Sequence, residues 1–298
     1  MIKTELLIIG GGAAGMAAAV AAAKAGRQVL LVERDSRLGG VLPQCLHHGF
    51  GLSYFHQDLT GEEYASRFIA QLGRLPVKVL LNTTVLSLSP ERTAWLSNSS
   101  GLIEVAFVQL IVATGCREIP LGALPVAGTR PAGIFTAGQA QQMLNLYGYD
   151  IGDDIVILGS GDIGLIMAQQ LSRMGKRVLA IIEQQPQLTG LPEHQYQCRE
   201  VYRIPALTSA TISAIHGRQR IEGVTIRFLD EPKRSFLACS TLLVAVGLQP
   251  ERELVEPLAA DGRYPKWLRL AGNCEHVHKI VDTVTLQGEK CAASLLEA

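Results

Sequence analysis

Leu6-Leu-Ile-Ile-Gly-Gly-Gly-Ala-Ala-Gly15, with its counterpart Ile155-Val-Ile-Leu-Gly-Ser-Gly-Asp-Ile-Gly164, decides the fold. Gly10, Gly12, Gly15, Ala19 and Gly26 recur as Gly159, Gly161, Gly164, Ala168 and Gly175, each 149 residues further on. One G-x-G-x-x-G turn is weak evidence, but two copies with matching helix-end glycines are strong evidence. Residues 6–9 and 155–158 are apolar throughout and read as parallel strands buried on both faces. In each turn the first Gly permits the reversal. The second lets a pyrophosphate approach the backbone, and the third lets helix pack on strand. Helices are predicted over about 13–25 and 163–174, ended by Gly26 and Gly175 in the left-handed conformation. Their amino ends offer unpaired N–H groups and a positive dipole end to phosphate. The next strands, 28–32 and 177–182, run into Glu33 and Glu183, where a carboxylate can accept hydrogen bonds from an adenosine ribose.

Working outward, residues 77–88, 93–97 and 102–107 read as antiparallel strands with Asn98-Ser-Ser-Gly101 as a turn. Residues 108–112 then run into Ala113-Thr114-Gly115. The second half repeats this plan with strands at about 207–215, 222–229 and 235–238, then 242–246 running into Gly247. The expected fold is α/β: two Rossmann-like dinucleotide-binding domains, each a parallel sheet with a β-meander crossover. A chain of 298 residues suffices for two such cores.

Lys+Arg and Asp+Glu number 27 each, so no net field attracts nucleic acid, and no basic cluster interleaves with aromatics. Residues 6–23 lack charge, yet Glu5 stands where a signal peptide needs positive charge, and three consecutive glycines make a poor helix. No membrane span is expected. The six cysteines, at 45, 116, 198, 239, 274 and 291, show no C-x-x-C spacing and no zinc or iron–sulfur pattern. Reduced cysteines suit a cytoplasmic protein. The scattered histidines suggest no metal site.

This layout resembles the pyridine nucleotide–disulfide oxidoreductase superfamily, in particular its small thioredoxin-reductase-like members. Gly10, Gly12, Gly15 and Glu33 match its FAD fingerprint, Ala113-Thr114-Gly115 its mid-chain motif, and Leu270-Ala-Gly-Asn273 its C-terminal flavin motif, with Asn273 where the family usually has Asp. A narrower resemblance rests on four stretches: Gly39-Gly-Val-Leu-Pro-Gln-Cys-Leu-His-His-Gly-Phe-Gly51, Leu59-Thr-Gly-Glu-Glu-Tyr-Ala65, Arg130-Pro-Ala-Gly-Ile-Phe-Thr-Ala-Gly138 and Leu158-Gly-Ser-Gly-Asp-Ile-Gly-Leu-Ile-Met167. These are similar to flavoprotein subunits associated with glycerol-3-phosphate dehydrogenase, opine oxidase and hydroxyproline dehydrogenase. The stretch from Leu248 to Leu270 is shorter than in that group.

The resemblance implies that the second domain, 118–247, is inserted in the first, 1–117 with 248–298. It implies FAD in the first domain, held by Gly10, Gly12, Ala13, Ala14, Gly15, Glu33, Arg34, Gly39, Gly40, Val41, Val85, Ala113, Thr114, Gly115, Gly272, Asn273 and Val281. It implies a pyridine nucleotide in the second, held by Gly159, Gly161, Asp162, Ile163, Gly164, Glu183 and Gly247. Glu183 would bond a free 2′-hydroxyl and repel a 2′-phosphate, which favours NAD(H) over NADP(H). Cys45 and His47, in the loop after the second strand, are the candidate catalytic side chains, His47 because it titrates near neutrality. Without a second Cys at the needed spacing, reduction of disulfides through an internal dithiol is not expected. The implied function is an FAD-dependent oxidoreductase passing electrons between NAD(H), flavin and an acceptor or partner dehydrogenase subunit. The alternative assembly is a homo-oligomer. The rival functions are a non-catalytic dinucleotide-binding subunit and a stand-alone amine or hydroxy-acid dehydrogenase.

Overall fold

In the computed structural model, which describes residues 1–296, Ile2–Ile9 is an inner strand of a seven-stranded sheet. Parallel to it on one side lie Val29–Val32 and then Val77–Leu80, and on the other side Gly101–Val112. Leu268–Leu270 adds a further parallel strand beside Leu110–Val112. Thr93–Asn98 and Thr84–Leu88 continue the sheet as an antiparallel meander. These strands belong to a first unit, formed by Met1–Arg117 and the chain from Gln249 onward; Glu118–Leu248 forms the second.

The helix Ala13–Lys24 has ten buried residues out of twelve, so it presents no solvent face of ordinary width. Alanine and glycine make this possible. The helix lies between the sheet and the C-terminal helix Val281–Leu296, whose Gly288 comes so near that a Cβ there would stand 2.2 Å from the Ala14 carbonyl oxygen. Tyr64 and Phe68 of helix Gly61–Leu72 fill the same layer and are fully buried. Each such side chain contributes about 1.5–3 kcal/mol by leaving water.

In the second unit a five-stranded parallel sheet runs Ala206–Leu207, Arg177–Ile182, Asp154–Leu158, Thr241–Val244, Ile134–Thr136. Its meander forms a separate sheet of Arg234–Ala238, Ile221–Phe228, Ala210–Gly217 and Ala127–Gly128. The predicted helices appear as Ala13–Lys24 and Asp162–Arg173, and Gly26 and Gly175 follow them at φ +81° and +78°.

Two predicted strands need correction. Residues 77–88 do not form one antiparallel strand: Val77–Leu80 joins the parallel sheet, and the meander starts at Thr84. Residues 207–215 divide in the same way, into Ala206–Leu207 and Ala210–Gly217. The cause is the same at both places. Asn82 (φ +48°) and Ser209 (φ +45°) adopt the left-handed conformation, which breaks the extended run. The breaks are held by equivalent bonds: Asn82 N–H to Asp35 O and Ser209 N–H to Gln185 O, both 2.9 Å, then Thr83 N–H to Glu33 O (3.0 Å) and Ala210 N–H to Glu183 O (2.9 Å). Conversely, residues 102–107 and 108–112 are one strand, Gly101–Val112.

Candidate functional site

Each glycine turn grows directly out of its strand. Gly10 N–H bonds Val32 O at 2.8 Å, and Gly159 N–H bonds Ile182 O at 2.8 Å. At φ +103° and +102° both glycines hold a backbone that side chains avoid. A Cβ on Gly10 would lie 2.3 Å from Ala113 O, and one on Gly159 2.2 Å from Ala245 O. Gly15 and Gly164 press the helix onto the turn, since a Cβ would come within 1.8 Å of Gly10 O and 2.6 Å of Gly159 O. Gly12 and Gly161 differ: a Cβ on either would enter open space. The duplicated motif therefore combines two glycines required by the protein's own packing with one that faces an open cradle.

The helix amino ends reinforce this distinction. Helix Gly61–Leu72 is closed by Thr60 in a complete capping box with Glu63, and helix Ala137–Tyr147 by the Thr136 hydroxyl. Helices Ala13–Lys24 and Asp162–Arg173 begin at Gly12 and Gly161 with no side-chain cap. Their first intrahelical bonds run from Met16 N–H to Gly12 O and from Leu165 N–H to Gly161 O, which leaves the amides of Ala13, Ala14 and Gly15, and of Asp162, Ile163 and Gly164, without partners inside the helix. Open space over the second glycine and uncapped amides beside it fit a pyrophosphate group. Asp162 puts a negative charge in one of these first turns, but its Oδ1 accepts Leu191 N–H at 2.7 Å and is occupied by the neighbouring loop.

Glu33 and Glu183 are both buried. Glu33 accepts Gly11 N–H at 2.7 Å and Asp35 N–H at 2.9 Å on separate oxygens. Glu183 accepts Ser160 N–H at 3.0 Å and Gln185 N–H at 2.8 Å in the same pattern. Each carboxylate is thus fixed at its strand end and keeps acceptor capacity for a ribose hydroxyl.

In the first unit Gly39 N–H bonds Gly11 O at 2.8 Å, so the Gly39-Gly40 corner rests on the glycine turn, with Gly40 near Gly12. Arg34 is exposed and stands 3.9 Å from Glu251; Val41 is exposed, and Val85 is half-buried in the meander. Ala113 N–H bonds Ile9 O at 2.7 Å, which places Ala113-Thr114-Gly115 beside the turn, and the Thr114 hydroxyl donates to Glu251 O at 2.6 Å. Gly272 (φ +74°) abuts Ala14, where a Cβ would meet the Ala14 Cβ at 2.8 Å. Asn273 uses its side-chain oxygen to accept His278 N–H at 2.9 Å. In the second unit Gly247 (φ +134°) is exposed just beyond the strand Thr241–Val244.

Cys45 Sγ lies 3.4 Å from Val41 O, and burial pushes its thiol up to about 12, far from the thiolate that redox chemistry requires. The His47 ring lies tilted by 38° against Phe50 with ring centroids 5.0 Å apart. Its Nδ1 lies 2.9 Å from His48 O, so Nδ1 carries the proton there.

The sequence gives no sign of one neighbouring residue, Asp282. Buried in the first turn of helix Val281–Leu296, it accepts Gly51 N–H (3.1 Å), Ser53 N–H (2.8 Å) and Tyr54 N–H (3.0 Å). Tyr64 and Thr285 hydroxyls, 2.7 Å apart, and a Tyr54–Glu289 hydrogen bond add to this clamp. Burial first, and then Glu289, raise the Tyr54 phenol well above its ordinary range. The segment beyond the Cys45–His47 loop is therefore fastened to the C-terminal helix.

Two glycine turns, two uncapped helix ends and two buried strand-end carboxylates define a protein of paired dinucleotide-binding domains. The chain belongs to the pyridine nucleotide-disulphide oxidoreductase family, which it matches over residues 4–267, and is a flavoprotein oxidoreductase in kind. Membership implies use of FAD and of NADH or NADPH. It is similar to an opine oxidase component of Rhizobium meliloti, with 28% identity over 60% of this chain and 38% of that protein. It is also similar to the HcnB component of hydrogen cyanide synthase of Pseudomonas aeruginosa, with 27% identity over 96% of this chain and 68% of that protein. The crystal structure of T. acidophilum thioredoxin reductase matches with a TM-score of 0.82 at 20% identity, covering 100% of this chain and 99% of that one. L-proline dehydrogenase from P. horikoshii matches with a TM-score of 0.70 at 17% identity, over 99% of this chain and 55% of that one. These structural matches establish the fold. No helix among the described residues is long and apolar enough to cross a membrane.

Proposed function

We propose that the first unit holds FAD, that the second takes NAD(H) in preference to NADP(H), and that electrons pass on to a separate dehydrogenase subunit. The observation that carries this reading is the pair of helix ends that begin at glycine with no side-chain cap, each with a buried carboxylate at the adjoining strand end. When bound, the flavin and nicotinamide supply the hydride chemistry. The chain's own work is binding. Amides at 13–15 and 162–164 offer donors to pyrophosphate, and Glu33 and Glu183 accept from adenosine ribose. Gly12 and Gly161 leave the approach open. The anionic Glu183 disfavours a 2′-phosphate, and Gln184-Gln185-Pro186 supplies no cation to offset it. Cys45, whose protonated thiol suits packing, is assigned no redox step. His47, with Nδ1 committed to a carbonyl, can hold a proton at Nε2 as acid or base.

A partner polypeptide is supported by the relatives' own names. The opine oxidase, hydrogen cyanide synthase and sarcosine oxidase relatives are each named as one subunit of a larger enzyme. The deciding experiment is anaerobic titration of purified, FAD-loaded protein with NADH while its visible spectrum is recorded. Bleaching by NADH at lower concentration than by NADPH is the expected result, and a spectrum unmoved by either nucleotide would overturn the reading. A mild affinity purification from the native host tests the partner: a second dehydrogenase chain should accompany this one.

A further inference from the structure

The two copies of the dinucleotide turn share their backbone bonds and the bonds to the strand-end carboxylate, and they differ at the residue between the first two glycines. Between the first and second motif glycines the first copy has Gly11 and the second Ser160. A Cβ on Gly11 would stand 2.4 Å from Leu38 Cδ2 and 3.0 Å from Glu33 Oε2, so these side chains would have to shift to admit one. Ser160 is wholly buried, and its hydroxyl donates to Glu183 Oε2, the same oxygen that accepts its backbone N–H.

A second hydroxyl completes the arrangement. Thr189 Oγ1 lies 3.2 Å from Ser160 Oγ, and Thr189 N–H donates to that oxygen at 2.9 Å. A serine hydroxyl has one proton, and here it goes to the carboxylate. The Thr189 hydroxyl must therefore be the donor to Ser160, which gives a directed chain from Thr189 to Ser160 to Glu183. Gly190 N–H to Ser160 O (2.8 Å) and Leu191 N–H to Asp162 Oδ1 (2.7 Å) hold the same loop on the turn. The first copy has the equivalent of the Gly190 bond, from Gly39 N–H to Gly11 O, but no hydroxyl relay.

We infer that Ser160, ordered by Thr189, positions Glu183 for coenzyme choice: it holds Oε2 in the turn and leaves Oε1, with its single Gln185 bond, to accept a free ribose 2′-hydroxyl. This inference rests on the proposed placement of NAD(H) in the second unit. It also accounts for the difference between the copies. A resident FAD presents no 2′-phosphate to be rejected, whereas a site for pyridine nucleotide must distinguish two coenzymes that differ there. A carboxylate free to change rotamer would swing away from a 2′-phosphate, and the charge-assisted bond from a buried hydroxyl opposes that movement.

The test measures binding rather than turnover. Dissociation constants for NADH and NADPH are determined anaerobically by fluorescence titration on protein whose FAD has first been reduced with dithionite, so that no hydride transfer accompanies binding, for wild type, Ser160→Ala, Thr189→Val, Thr189→Ser and Glu183→Arg. Ser160→Ala should weaken NADH about ten-fold while leaving NADPH unchanged or tighter, a loss of selectivity of the size one charge-assisted hydrogen bond provides. Thr189→Val should move selectivity the same way, and Thr189→Ser should restore it. A merely structural role would weaken both coenzymes equally and lower the melting temperature without changing their ratio, and that outcome overturns the inference. Glu183→Arg serves as the separate check on the underlying reading. If it leaves the NADH-to-NADPH ratio unchanged, the placement of the ribose at Glu183 is wrong. If it inverts the ratio while Ser160→Ala does nothing, only the role of Ser160 fails.

Discussion

At the scale of single residues the three motif glycines are not equivalent, and the difference can be measured. Gly10→Ala puts a methyl 2.3 Å from a backbone oxygen at φ +103°, so it should destabilise the cofactor-free protein by about 2–4 kcal/mol. Gly12→Ala meets nothing, at a φ of −76° that alanine accepts, so the cofactor-free protein should unfold within about 1 kcal/mol of wild type. The same methyl fills the cradle, however, and FAD content after purification should collapse. A Gly12→Ala protein that purifies fully yellow would remove the pyrophosphate from this turn. Cys45→Ser should leave NADH-dependent flavin reduction within a few-fold, because burial keeps that thiol protonated. Stopped-flow reduction of well-folded mutant decides it, and loss of the reductive half-reaction would mean that a thiol step exists. Glu33 and Glu183 were legible in the sequence because their partners lie one strand away, at a spacing the repeat itself displays. Asp282 was not, since its three amide partners are about 230 positions distant and nothing local marks a buried carboxylate.

At the scale of elements, hydrophobic runs located the longer strands, but they missed short ones such as Ile134–Thr136 and Leu268–Leu270 and could not show where a run is broken. Asn82 and Ser209 each turn the chain with one left-handed residue inside a stretch that otherwise reads as continuous strand. Both breaks carry the chain back to the strand-end glutamate, through Thr83 N–H to Glu33 O and Ala210 N–H to Glu183 O. Hydrophobic period cannot report this, because the bonds are made by backbone. The clamp between residues 51–54 and helix Val281–Leu296 gives the prediction for this scale. Asp282→Asn exchanges a carboxylate that accepts three N–H groups for an amide whose own NH₂ must face one of them. Stability should fall by about 2–4 kcal/mol, and limited proteolysis should find a new cut near Gly49–Tyr54. Unchanged melting and an unchanged digestion pattern would show that the clamp contributes nothing.

At the scale of the whole molecule, several thiols share one pH response. Burial raises Cys45 to about 12 and Cys198, Cys239 and Cys291 to about 11, from an ordinary 9.0. The unfolded chain ionises these thiols near pH 9 while the folded chain keeps them protonated. Their contribution is therefore complete below pH 9 and is lost as pH climbs toward 11–12. Urea denaturation at pH 8 and pH 10.5 should show wild type losing more stability across that interval than a Cys198→Ala/Cys239→Ala variant. Equal losses would show that the buried thiols do not govern the alkaline limb. The repeated order of strand, turn, helix and acid was legible from the glycine repeat, because duplication fixes that order in both halves. The different placement of the two meanders was not, because strand pairing across a crossover leaves no periodic mark.

The strand Gly101–Val112 has a consequence for how this protein is made. Its inner half pairs with Ile2–Ile9 on one side and with Leu268–Leu270 on the other, and the whole second unit lies between these partners in sequence. On the ribosome the first sheet must wait, with one edge open, while the second unit is synthesised, on the order of ten seconds at ordinary rates of elongation. Glu118–Leu248 thus emerges complete while the unit that began first is still missing a strand. Chains truncated after residue 260 and released from the ribosome should resist protease within the second unit and be cut within residues 1–117, whereas a chain that continues through Leu296 should be protected in both. Order of synthesis and order of completion are reversed in this chain, and the exposed edge of Leu110–Val112 is where a chaperone would be needed.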